Sequence, residues 1–160
     1  MRAIVSDTTA LIVLAAQDRL ELLGACFEQV LLPQAVYREW QAGEAGLDQT
    51  LERLAFFQLV AVDDGDLLDE LRAMLDPGEA EALTLARQRG LPLLVDEKKG
   101  RTLARMMGIP VLGLVGVLLL AVQRGILDPP TARAILDAAR DRGFRLSDAL
   151  YQAFVGQLSE

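Results

Sequence analysis

Five short apolar runs, each handing over to a segment with helical spacing, constrain this chain more than any other feature. Ala3-Ile4-Val5 ends at Ser6-Asp7-Thr8, after which Ala10, Leu11, Leu14 and Ala15 recur at helical spacing. Phe27 to Leu32 meets Pro33, a residue tolerated at the first position of a helix, and the helix it opens runs through Trp40 to the Gly43 to Gly46 segment. Leu51 to Phe57 reads as helix, Leu59 to Val62 as strand, and Asp63-Asp64-Gly65-Asp66 as a turn into an amphipathic helix through Met74. Asp76-Pro77-Gly78-Glu79 begins a helix reaching Arg89, Gly90 ends it, and the run Leu91 to Val95 stops at Asp96. Lys98 to Met107 is helical up to Gly108, and Ile109 to Leu112 is a short strand containing Pro110. Helices then follow over Gly113 to Arg124, Pro130 to Arg142 and Ser147 to Leu158. Runs that are uniformly apolar rather than alternating belong to strands buried on both faces. The expected architecture is therefore an α/β domain with a mostly parallel sheet covered by helices on either side.

With neither an internal repeat nor a low-complexity linker, residues 1–160 are expected to form one domain. A chain of this length buries roughly two thirds of its unfolded surface and needs no disulfide or metal to fold. There is no histidine, which excludes Ser-His-Asp and Cys-His catalysis, imidazole bases and histidine-ligated zinc. Cys26 is the only cysteine, so any resident metal must sit on oxygen ligands, and a reducing, cytoplasmic location is expected. Met1-Arg2 leads into a short apolar run without a small-residue cleavage pattern, which also fits an intracellular chain. The apolar stretch Val111 to Val122 would span about 18 Å as a helix, against roughly 30 Å of hydrocarbon, and is expected to be a core helix. The net charge of −7 argues against bulk electrostatic coating of nucleic acid and leaves room only for local basic patches.

Carboxylates are thus the main candidates for chemistry. Asp7 and Asp96 each follow an apolar strand, at the carboxyl edge where open parallel sheets bind ligands. The plain alternative is that each caps the helix that follows. Glu39 shares the stripe Val36, Glu39, Trp40, Gly43 and is expected on the core side of its helix, where it needs a partner. Glu79 heads the stripe Glu79, Ala82, Leu83, Ala86, while Glu81 lies about 200° around the helix with Thr84 and Gln88. Asp76 and Glu79 also match a reciprocal capping pattern, which competes for the Glu79 carboxylate. Two carboxylates 4 Å apart repel by about 4 kcal/mol at an effective dielectric of 20, so a convergence of these four acids calls for a cation between them. Hard oxygen ligands suit Mg²⁺ or Mn²⁺, which lower the pKa of bound water and clamp phosphate oxygens.

Ser6-Asp7-Thr8-Thr9-Ala10-Leu11-Ile12 resembles the opening motif of PIN-domain ribonucleases, and the remaining motifs follow in order. Leu32-Pro33-Gln34-Ala35-Val36-Tyr37-Arg38-Glu39 is similar to the second acidic motif and Leu94-Val95-Asp96-Glu97-Lys98-Lys99-Gly100-Arg101 to the fourth. Pro77-Gly78-Glu79-Ala80-Glu81-Ala82-Leu83 resembles the third motif of a PIN-like subfamily described as predicted nucleic-acid-binding proteins. The similarity continues through Gly108-Ile109-Pro110-Val111-Leu112-Gly113 and Gly143-Phe144-Arg145-Leu146-Ser147, so it covers nearly the whole chain. It implies a three-layer α/β/α fold and Mg²⁺- or Mn²⁺-dependent hydrolysis of RNA phosphodiester bonds. Asp7, Glu39, Glu79 and Asp96 would be the metal ligands, Thr9 would orient Asp7 by a hydrogen bond, and homodimers are frequent. Many relatives are toxins restrained by a small antitoxin. Two departures stand out: the third acid is glutamate where aspartate is common, and Lys98 stands where a further acid or asparagine is usual, leaving Glu97 as its nearest substitute.

Lys98, Lys99, Arg101 and Arg105 follow Asp96 and are candidates to hold a phosphate backbone, against the plain alternative of a solvated helix face. Trp40 and its aromatic neighbours Tyr37, Phe56 and Phe57 sit at apolar positions and read as core rather than base-stacking residues. Asp148 is expected to begin the last helix behind the cap Ser147. A dehalogenase-like phosphotransferase would want a second aspartate where Thr9 stands. The remaining alternative to a nuclease is a non-catalytic PIN-like module that binds RNA or protein.

Overall fold

The computed structural model describes residues 2–159. Strand β1 (Ala3–Ser6) runs into α1 (Thr8–Ala16), and α2 (Glu21–Cys26) leads to β2 (Gln29–Pro33). Next come α3 (Gln34–Gly43), α4 (Leu47–Arg53), β3 (Phe57–Val60), α5 (Asp66–Arg72) and α6 (Pro77–Arg89). Then follow β4 (Leu93–Leu94), α7 (Lys98–Met106), β5 (Val111–Leu112), α8 (Leu114–Gln123), α9 (Pro129–Asp141) and α10 (Asp148–Leu158). The sheet has the order β3-β2-β1-β4-β5, and every pairing in it is parallel. Val5 pairs with Leu93 and Ser6 with Leu94, so β1 and β4 are neighbours although nearly 90 residues separate them.

The chain winds outward from β1 to β3, then α6 carries it back across the sheet to β4. That reversal makes the gap between the ends of β1 and β4 the crevice where a parallel sheet is open. Ile4, Val5, Val30, Leu31, Leu32, Leu93 and Leu94 are all buried, as expected of strands covered on both faces. Helix α6 packs on β1, β2 and β4 with α3, α5 and α7 around it, while α8 packs with α2, α9 and α10, giving three α/β/α layers. Every residue from Gly78 to Ala86 is buried, so α6 has no solvated face in its first two and a half turns. Helix α8 buries Leu114, Val117, Leu118 and Ala121, and among the described residues no helix is long and apolar enough to cross a membrane.

The differences from the sequence reading are local. Helix α2 has only six residues and leaves little periodic signal, yet it seals the core with Leu22, Leu23 and Cys26. The helix expected from Leu51 lies four residues earlier, because Gly46 adopts φ +77° and starts α4. Phe57 instead enters the sheet, edge-on to Trp40 at 5.7 Å and against Phe56 at 4.5 Å. Pro33 is not the first helical residue; its extended backbone ends β2 and pairs with Val60.

Candidate functional site

Asp7 immediately follows β1, and Asp96 lies two residues beyond β4. Asp7 occupies the cap position of α1 and makes no side-chain capping hydrogen bond, although the Thr8 amide at the start of that helix acts to lower its pKa. It is only 5% exposed, and burial first, then the charges of Asp76, Glu39 and Asp96, raise its pKa from 3.8 to about 7. Asp96 accepts a hydrogen bond from the Leu114 amide at 3.0 Å through Oδ1, while its buried Oδ2 has no partner among the described residues. Burial raises its pKa, against the lowering effects of that amide and of Arg101.

Helix α6 supplies the third carboxylate. Asp76 caps it, accepting from the Glu79 amide at 2.8 Å. Glu79 is 6% exposed and its Oε2 has no hydrogen-bond partner among the described residues. Burial, then hydrogen bonding and charge from Asp76, and the charges of Asp7 and Glu97, raise its pKa to about 8. Glu81 does something different. Its carboxylate accepts from the Ala35 amide at 3.0 Å, capping α3, and lies 3.8 Å from Arg72.

The expectation of a core-side Glu39 is corrected. Glu39 is exposed: the buried stripe of α3 is Ala35, Val36 and Trp40, and Glu39 stands at its edge, where the open end of the sheet admits solvent. Its Oε1 accepts from the Thr8 hydroxyl at 3.2 Å. Partial burial, then Asp76 and Glu97, raise its pKa. Thr9 was the expected orienting hydroxyl for Asp7; it lines a hollow with Asp96, Glu97 and Lys98, and among the described residues it makes no side-chain hydrogen bond to Asp7.

Three glycines front these acids. A β-carbon on Gly78 would stand 3.5 Å from Glu39 Oε1 and 3.6 Å from Asp7 Oδ1, and one on Gly100 would stand 2.8 Å from Glu79 Oε2. One on Gly113 would stand 2.7 Å from Asp96 Oδ1. Missing side chains thus keep room around Glu79 and Asp96, whereas a methyl on Gly78 would only come into ordinary contact with Glu39 and Asp7. Buried acids with raised pKa values, orphaned oxygens and glycine-lined space suit a hard divalent cation in donor chemistry. As placed, the donors stand apart: among the described residues no three Asp, Glu or Cys side chains are gathered closely enough to hold one ion.

One acid enters that the sequence reading did not place here, Asp76, and Glu97 joins it from the position where that reading allowed it to substitute for the usual further acid. Asp76 carries a capping signature that hides its electrostatic role, although its charge acts on Asp7, Glu39 and Glu79. Glu97, directly after Asp96, acts on Glu39 and Glu79. The cluster lies between two hollows. One, of about 640 Å³, includes Arg38, Glu39, Arg72, Asp76 and Glu81. The other, of about 880 Å³, runs from Asp96 past Lys98 and Arg101. Lys99 and Arg105 are exposed on α7 outside both. Trp40 is 1% exposed and belongs to the core.

A family model described as a PIN domain matches residues 3–160. Among solved structures, a PilT N-terminus domain protein from the hyperthermophilic archaeon Sulfolobus solfataricus P2 superposes with a TM-score of 0.50 at 12% identity. The superposition covers 92% of this chain and 98% of that one, a likeness of fold. No curated protein matches the sequence.

Proposed function

Because the chain belongs to the PIN-domain family, whose fold is that of nucleases, we propose that it is a Mg²⁺- or Mn²⁺-dependent endoribonuclease. The observation that carries the reading is the group of buried carboxylates with raised pKa values and unpartnered oxygens at the β1–β4 crevice. Asp7, Glu39, Glu79 and Asp96 would hold the cation. When bound, the ion would neutralise these acids, polarise a phosphate and supply a nucleophile near neutral pH.

The chain's own residues do the rest. Without a cation Asp7 and Glu79 retain protons up to their raised pKa values of about 7 and about 8, and the negative charge of Asp76, which acts on both, favours a cation in the place of those protons. Thr8 holds Glu39, and the Leu114 amide holds Asp96. Lys98 and Arg101 offer positive charge beside Asp96 to a phosphate backbone. Hollows on both sides of the cluster leave room for a strand to continue in both directions, which favours cleavage within a chain over trimming of an end. We further propose that the protein is the toxin of a toxin-antitoxin pair, restrained by a small antitoxin, and that it acts as a homodimer on RNA.

The second reading is a non-catalytic RNA- or protein-binding PIN-like module, favoured by the separation of the donors as placed and by Lys98. Calorimetry of Mn²⁺ binding to wild type and Asp7→Asn, with cleavage of a mixed single-stranded RNA pool in the same samples, separates the two. Binding and cleavage that both disappear in the variant support the nuclease. Binding without cleavage supports the module, and no binding in the wild type refutes the metal site.

A further inference from the structure

The larger hollow is more than a margin of the acid cluster. One wall is Val111, Val115 and Leu119, from β5 and α8, and the other is Phe144, Leu146 and Leu150, from the α9–α10 connection and α10. Its volume of about 880 Å³ lies within the roughly 300–1,000 Å³ usual for ligand sites. Through Asp96, Lys98, Phe144 and Arg145 it is continuous with the smaller hollow that contains Thr9 and Glu97. The space therefore begins at the acids and leads away from them.

Four cations line it, and they are not equivalent. Arg140 is committed, lying 4.4 Å over the Tyr151 ring and 3.2 Å from Asp148. Arg101 faces Asp96, and its buried Nε has no acceptor among the described residues. Lys98 and Arg145 are exposed and form no ion pair among the described residues. In a chain of net charge −7, two uncommitted cations flanking a half-buried aromatic ring mark a place suited to a polyanion with apolar faces. A peptide would want partners for its backbone amides. The walls offer almost none, since the Ser147 hydroxyl already caps α10 and no amide side chain lines the groove.

We infer that this groove seats the single-stranded substrate on one side of the scissile phosphate, with a base stacked on Phe144 and backbone phosphates on Lys98 and Arg145. The inference rests on the nuclease reading for the word substrate, and on the groove alone for binding. With no side-chain amide to read base edges, the subsite takes any base by its face. Phe144 and Arg145 are positioning residues for the strand.

The test is equilibrium binding of a fluorescein-labelled single-stranded RNA, by anisotropy in EDTA over a salt series, which keeps binding separate from cleavage. Arg145→Gln and Lys98→Gln, both at exposed positions, should each lower the slope of log affinity against log salt by about 0.7. Phe144→Leu should weaken binding about tenfold without changing that slope, and Phe144→Trp should restore it. Homopolymers of different bases should bind with similar affinity. Unchanged affinity and slope in all three loss variants would overturn the proposal, whatever Mn²⁺ does at the acids. The same would follow if a peptide, but no RNA, were bound in a Phe144-dependent way. RNA binding with these dependences but no cleavage in Mn²⁺ would sink the nuclease reading and leave the groove standing.

Discussion

Removing one charge from the site should make the protein more stable, and the pH at which it does so is fixed by the geometry. Asp7 has a pKa of about 7 in the folded chain against 3.8 when exposed. A carboxylate with a raised folded pKa contributes its full stability below the unfolded value and loses it as pH rises through the folded one. Between about pH 4 and pH 7 the native state binds more protons than the unfolded state, so stability must fall as pH increases. The full displacement corresponds to at most about 4 kcal/mol. Asp7→Asn keeps the shape and abolishes the ionisation, so the two proteins should melt together near pH 4. By pH 8 the variant should be ahead by up to about 4 kcal/mol, or roughly 8–16 °C for a chain of this size. Glu79 should titrate lower in the variant, because the Asp7 charge is one cause of its raised pKa. The assay is thermal denaturation followed by circular dichroism, from pH 4 to pH 9 in EDTA. A difference between the proteins that does not grow with pH, or a variant less stable at pH 8, would refute the argument that these acids are held against their own repulsion.

Mn²⁺ binding should release protons, because Asp7 and Glu79 hold them near neutrality; calorimetry in buffers of different ionisation enthalpy should find release near about pH 6.5 and almost none above about pH 9. Gly100→Ala places a methyl 2.8 Å from Glu79 Oε2, so Glu79 must move; Mn²⁺ affinity should drop while the melting temperature changes little, since alanine favours the helix by about 1 kcal/mol. Glu81→Ala leaves the Ala35 amide without its acceptor and should cost about 1–3 kcal/mol in urea unfolding, with Mn²⁺ affinity unchanged.

The elements were legible because the forces that make them are local. Uniformly apolar runs announced the doubly covered strands β1, β2 and β4, while the run at Leu59 belongs to the edge strand β3 and leaves that leucine half exposed; Gly90 and Gly108, both with positive φ, stopped helices where expected. The neighbour relation of β1 and β4 carries no local signal, since Val5 and Leu93 meet only through the whole return path of α6. At the site, strand-end placement pointed to Asp7 and Asp96, but choosing between adjacent hydroxyls was beyond periodicity: Thr8 and Thr9 differ by about 100° around α1, and it is Thr8 that reaches Glu39. Asp76 was hidden by its own good capping chemistry. Glu81 looked like the polar side of an amphipathic helix, and only the packing of α3 onto α6 turns that side inward.

The burial of every α6 residue from Gly78 to Ala86 governs how the molecule breathes. A helix with no solvated face exchanges its amide hydrogens only when the whole domain opens, so Ala80 to Ala86 should share the slowest exchange in the protein. Glu79 is anchored to that segment, whereas Phe144 and Arg145 sit on the short connection before α10, a helix with only Tyr151 and Phe154 buried. One bank of the cleft therefore moves on the timescale of global unfolding, and the other is free to open locally, at far lower free energy, around a centre that stays in place.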